Sequence, residues 1–107
     1  MRTLFGLAAL VALGASAASA QPTHLSDTAY LQAARCVGLA NSKALGAADA
    51  KGMTVWLQTE GASHPAFIVE KGDELQSRAK RQADRADDMV KPRLQAELTG
   101  PCASLKG

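Results

Sequence analysis

Apolar residues recur at helical steps along most of this chain. From Thr28 onward, Tyr30, Ala33, Val37 and Ala40 step by three and four, and Ala29 and Cys36 flank the same side. Ser26 or Asp27 is placed to cap this segment by accepting a backbone N–H. Gly38 weakens it by about 1 kcal/mol relative to Ala, and also leaves room for another backbone to approach. Gly46 reads as its end. A second, shorter helix is predicted between Asp49 as cap and Gly61 as stop, with Ala50, Met53, Trp56 and Leu57 as its apolar stripe. Met53, Val55 and Leu57 also alternate, and Phe67 and Val69 continue the alternation. An α+β fold with a short hairpin at 53–69 is therefore the alternative. The placement of Asp49 and Gly61 favours the helix.

Ser63-His64-Pro65 marks the next helix start, because Pro in a first turn sacrifices no hydrogen bond. Ala66-Phe67-Ile68-Val69 follows as the most hydrophobic patch outside the first twenty residues. Gly72 reads as an interruption, and Asp73 as a new N-cap with Gln76 completing a capping box. The stretch Asp73–Leu98 is then the helix around which the rest is organised. Leu75, Ala79, Ala83 (or Gln82), Ala86, Val90 and Leu94 form a narrow seam of mostly small residues. Glu74/Arg78, Lys80/Asp84 and Asp87/Lys91 are opposite charges one turn apart, each pair contributing a few tenths of a kcal/mol. Pro92 must kink or divide this helix, and Gly100-Pro101 ends it. The fold class expected is all-α, a bundle of three or four helices with short loops.

The amino-terminal residues follow another pattern. Met1-Arg2 is a short basic start, Leu4 to Leu13 is an apolar run, and Ala18-Ser19-Ala20 supplies small residues where a signal peptidase cuts. Residues 1–20 are expected to be a cleaved signal peptide, and 21–107 a single helical domain. The apolar run is shorter than the roughly 20 residues a membrane span needs, so no stable span is expected after cleavage. Removing Arg2 leaves 11 basic against 10 acidic residues, a net charge of +1. So even a balance gives no electrostatic ground for binding nucleic acid.

A domain this short buries only about 60% of its unfolded surface and needs help to be stable. Cys36 and Cys102 supply it: the two cysteines of an exported chain pair with each other. Closing a loop of that length contributes roughly 4 kcal/mol on the chain-entropy account. The expected bond pins the carboxy-terminal tail to the first helix.

Candidate chemistry adds little. His24 and His64 lie in no ligand-spaced cluster, so they are expected to be exposed or capping, with no metal site. Met53 and Met89 are expected to fill gaps in the core rather than to ligate haem, and no cofactor is expected. Asp84, Asp87 and Asp88 sit among Lys80, Arg81, Arg85 and Lys91, a solvated face rather than an acid–base pair. No serine has the setting of a nucleophile. An enzyme is therefore not expected. Trp56 and Phe67 are expected in the core. Either becomes the leading partner contact if exposed.

A small exported, periplasmic or secreted, helical protein remains. Its work is expected to be binding or protection, with another envelope protein as partner. In outline (short, helical, exported, one disulfide) it resembles the small periplasmic immunity proteins that neutralise delivered toxins, and also the periplasmic acid-stress chaperones. The likeness is one of shape and carries no motif. Two further functions are open: an acid-stress chaperone, and a carrier of a small apolar ligand held by Met53, Trp56, Phe67 and Ile68.

Overall fold

A computed structural model describes residues 24–47 and 49–105; the expected signal peptide lies outside them. The described residues form α1 (Asp27–Ala40), α2 (Ala50–Gly61), α3 (Ala66–Asp84), α4 (Lys91–Thr99) and a closing turn, α5 (Pro101–Leu105). Among the described residues there is no strand. The hairpin alternative at 53–69 is thereby overturned. Met53 to Leu57 are helical, Gly61 stops α2 as the pattern indicated, and Pro65 starts α3 by accepting the N–H groups of Ile68 and Val69 at 2.9 and 3.1 Å.

The organising element is α1, not the stretch 73–98. All the other helices pack on α1. Helix α3 runs parallel to it: Ala34 faces Gly72, Gly38 faces Gln76 and Ala79, and Ser42 meets Asp84. Helix α2 runs antiparallel, with Leu25 meeting Glu60 and Asn41 meeting Thr54. Helix α4 also descends along α1, which brings Leu94 to Leu39 and Glu97 to Arg35. The physical reason is composition. Helix α1 buries Tyr30, Ala33, Ala34, Cys36, Val37, Gly38, Leu39 and Ala40, whereas α3 is charged on most of its circumference and buries one stripe.

Small side chains set the α1–α3 distance. A Cβ added at Gly38 would collide with the backbone oxygen of Gln76 and lie 2.9 Å from the Ala79 methyl. One added at Gly72 would lie 2.9 Å from the Tyr30 ring and 3.4 Å from the Ala34 methyl. Gly72 therefore does not interrupt the helix. Helix α3 runs through it and through Asp73, and the missing side chain admits Tyr30. Two apolar clusters result. One joins Tyr30, Ala33, Ala34, Val37, Leu57 and Ile68; the other joins Leu39, Leu45, Ala79, Ala83 and Leu94.

Two boundaries differ from the pattern. Helix α1 stops at Ala40 rather than at Gly46, because the Asn41 side chain donates to the Val37 carbonyl at 2.8 Å and Ser42 turns inward to Asp84. Gly46, with φ 66°, closes the turn that follows. The seam of α3 ends at Ala83, and a six-residue turn at 85–90 separates it from α4. There the Asp87 carboxylate accepts the N–H groups of Met89 and Val90, both at 2.9 Å. Pro92 consequently falls in the first turn of α4, where it breaks nothing.

Cys36 and Cys102 are bonded, with Cα atoms 5.6 Å apart and 66 positions between them in sequence. Beside the bond, Arg35 grips Glu97 through Nε at 2.7 Å and a terminal nitrogen at 3.0 Å, and reaches Gln82 at 3.1 Å. The carboxy-terminal helices are thus held to α1 by a covalent bond and a bidentate ion pair. Among the described residues, no helix is long and apolar enough to cross a membrane.

Candidate functional site

The densest polar arrangement lies where the chain enters α1 and where α2 hands over to α3. His64 is at its centre, with only 3% of its side chain exposed. Its Nδ1 lies 2.7 Å from the Asp27 carboxylate, and its Nε2 lies 3.2 Å from that of Glu60. Its ring stacks on Tyr30 at 4.5 Å. Glu60, itself buried, accepts the Leu25 N–H at 2.7 Å and has the His24 imidazole 3.5 Å away. His24 reaches the Ser63 hydroxyl at 3.1 Å.

This corner corrects the expectation that His64 is exposed or merely capping. Its cause is local: α2 ends at Gly61 and α3 starts after Pro65, so His64 occupies the tight link and is turned inward. The sequence held one usable signal. Glu60 and His64 are four apart, the spacing of a helical ion pair. The other partner, Asp27, lies 37 positions away.

The electrostatics follow from these contacts. The Asp27 hydrogen bond raises the His64 imidazole above its usual pKa against the opposing effect of burial, with Glu60 adding to the rise. Burial pushes the Glu60 carboxyl up, but the Leu25 N–H and the two imidazoles outweigh it and hold it below the ordinary carboxylate range. At the other end of α1, Asp84 accepts from the Ser42 hydroxyl at 2.6 Å and from Lys80 at 3.0 Å, which lowers its pKa. Asp84 thus serves structure, as Asp87 does in the 85–90 turn. Of the three charge pairs expected on the long helix, Lys80–Asp84 closes; the Asp87 carboxylate turns instead to the N–H groups of Met89 and Val90, while its carbonyl accepts the Lys91 N–H at 2.9 Å. Among the described residues, no group of three or more His, Cys, Asp or Glu is placed to hold a metal ion.

The four residues expected to contact a partner or ligand are scattered. Ile68 is buried in the first cluster, and Met53 and Trp56 pack half-buried against it. Phe67 is 67% exposed, which overturns the expectation that it lies in the core. Five positions from Gly72, it stands about 140° round α3 from the face that meets Tyr30. Met89, at 80% exposure, is likewise outside the core. A groove of about 470 Å3 is lined by Leu45, Gly46, Asp49, Met53, Leu98 and neighbouring residues of α4. Trp56, Phe67 and Ile68 are not among its lining residues, so the four do not form one cavity.

Comparison with family models, with curated proteins and with solved structures returns no match for this chain.

Proposed function

We propose that this chain is a non-catalytic protein-binding module of the cell envelope, and that Phe67 anchors its contact with the partner. The observation that carries the reading is the exposure of Phe67, 67%, beside an Ile68 that is only 8% exposed. The chain has only four aromatic residues. One of them stands in solvent on the first turn of α3, among exposed Glu70, Lys71 and Glu74. An aromatic anchor within a charged rim is the arrangement in which binding energy concentrates at interfaces. It fits a protein that offers an apolar pocket bordered by charges of both signs. The layout of residues 1–20 and the Cys36–Cys102 bond support an exported location, since such bonds persist in oxidising compartments.

The test is a tagged pull-down from the envelope fraction at neutral pH, with the native chain and with Phe67→Asp. The reading expects a single stoichiometric partner for the native chain, and at least a tenfold loss for the variant, about 1.4 kcal/mol or more. Because Phe67 is exposed, the melting temperature of the variant stays unchanged. A partner that Phe67→Asp retains in full contradicts the Phe67 surface. Many clients captured only near pH 3 would point instead to an acid-stress chaperone.

A second reading, the apolar carrier, is favoured by the Met53 groove, whose volume falls within the range of small-ligand sites. It expects a co-purifying small molecule in native mass spectrometry that Met53→Arg expels.

A further inference from the structure

The corner at His64 does more than cap a helix. The chain leading into α1 is held there by polar contacts centred on two carboxylates, whereas the middle of α1 is held by packing, the disulfide and the Arg35–Glu97 ion pair. Leu25 is tied to α2 through its N–H to Glu60 at 2.7 Å. Asp27, in the first turn of α1, is tied to the α2–α3 link through His64 at 2.7 Å. Both ties depend on charge. Beneath them lie Tyr30, Leu57 and Ile68, against which Leu25 packs as a partial cover.

We propose that this corner is an acid-opened clasp. Protonation of Glu60 releases Leu25 and loosens the entry to α1, uncovering Tyr30 and Ile68, while the remainder of the bundle stays folded around Cys36–Cys102. The groups facing His64 come from every element packed there. They are Asp27 and Tyr30 on α1 and Glu60 on α2, and His24 in the lead segment faces Glu60 in turn. Asp73 on α3 adds a further negative charge near Tyr30.

The direction follows from linkage. Glu60 titrates below its unfolded value, so the stability it contributes is present above the ordinary carboxylate pKa. That stability is lost as pH falls through the lowered, folded value. On that side the His24 and His64 rings, which meet on the Glu60 carboxylate, lose the negative charge they share. His64 titrates above its unfolded value, so its contribution is complete below the usual imidazole pKa. It is lost as pH rises through the raised, folded value. The clasp is therefore tightest between these two limits and opens on both sides. On the acid side the lead segment loses its tie to α2, because the Leu25 N–H ends on the Glu60 carboxylate.

Amide hydrogen exchange of the full chain, followed residue by residue and corrected for the intrinsic pH dependence, tests this. The Leu25 amide is expected to lose at least about tenfold of its protection as pH falls below about 4. Over the same range the amides of 33–40 and 75–83 should keep theirs. Glu60→Gln is expected to lower Leu25 protection already at neutral pH and to flatten its pH dependence. Loss of Leu25 and core protection together, or a Leu25 amide indifferent to pH, overturns the clasp. Should Glu60→Gln fail to fold, the imidazole titration of the native chain decides. A His64 that titrates at or below the free-histidine value contradicts the ion pairs on which the clasp is built.

Discussion

A methyl group added at Gly38 has no room, because the backbone of Gln76 occupies its place. At Gly72 the obstacle is the edge of the Tyr30 ring, which can give a little. Gly38→Ala is therefore expected to destabilise by about 2–3 kcal/mol and Gly72→Ala by about 1–2 kcal/mol, in denaturant unfolding. Equal stability of Gly38→Ala and the native chain would mean that α1 and α3 do not approach so closely. The sequence made the close approach at Gly38 legible, since a glycine on an apolar helical face has few other uses. Gly72 misled, because its partner Tyr30 lies 42 positions away and a glycine beside Asp73 imitates a helix stop. His64 was legible only in its spacing from Glu60: a link residue shows no periodicity, and burial of its ring depends on how three elements meet. Replacing it tests the alkaline limb of its linkage. His64→Gln is expected to remove the loss of stability that the native chain shows as pH rises through the folded His64 pKa, with melting curves across pH as the measurement.

At the scale of elements, the turn at 85–90 decides the topology. Had α3 continued straight from Asp84, Cys102 would lie about 27 Å further along the same direction. Asp84 is level with Ser42, which is already beyond Cys36. With α3 parallel to α1, a single long helix over 73–98 would carry Cys102 away from Cys36, so the chain must reverse between Asp84 and Cys102. The sequence did not show this, because a long helix antiparallel to α1 would also bring Cys102 to Cys36, and Asp87 looks like one more surface charge until it caps the N–H groups of Met89 and Val90. Pro92→Ala is expected to change stability by less than about 1 kcal/mol, since Pro sits in a first turn. A gain near 3 kcal/mol would mean that Pro92 interrupts a helix after all. Cys36→Ser with Cys102→Ser is expected to cost roughly 4 kcal/mol, measured by denaturant unfolding under non-reducing conditions. A cost near zero would assign the hold on α4 and α5 to Arg35–Glu97 and packing alone.

The molecule as a whole is a central helix with covers. Helices α2 and α3 lean on α1 rather than on each other, and a cleft between them runs along it in two cavities of about 230 and 290 Å3 that share Thr54 and Gln76. The all-α class, the stripes of α1 and α2 and the disulfide were legible because each rests on spacing along one segment. Which helix is central was not, because α1 and α3 differ in how many faces they bury, and burial depends on the assembly. Of the four residues expected to contact a partner, Phe67 alone stands largely in solvent, and the proposed contact rests on it. The most direct measurement is therefore at that residue. A photo-crosslinking amino acid placed at position 67, and as a control at exposed Gln95 on α4, is activated in the intact envelope fraction. The account predicts one discrete adduct from position 67 and none from position 95. An adduct from 95 alone, or none from 67 while the native chain still captures its partner, would contradict it.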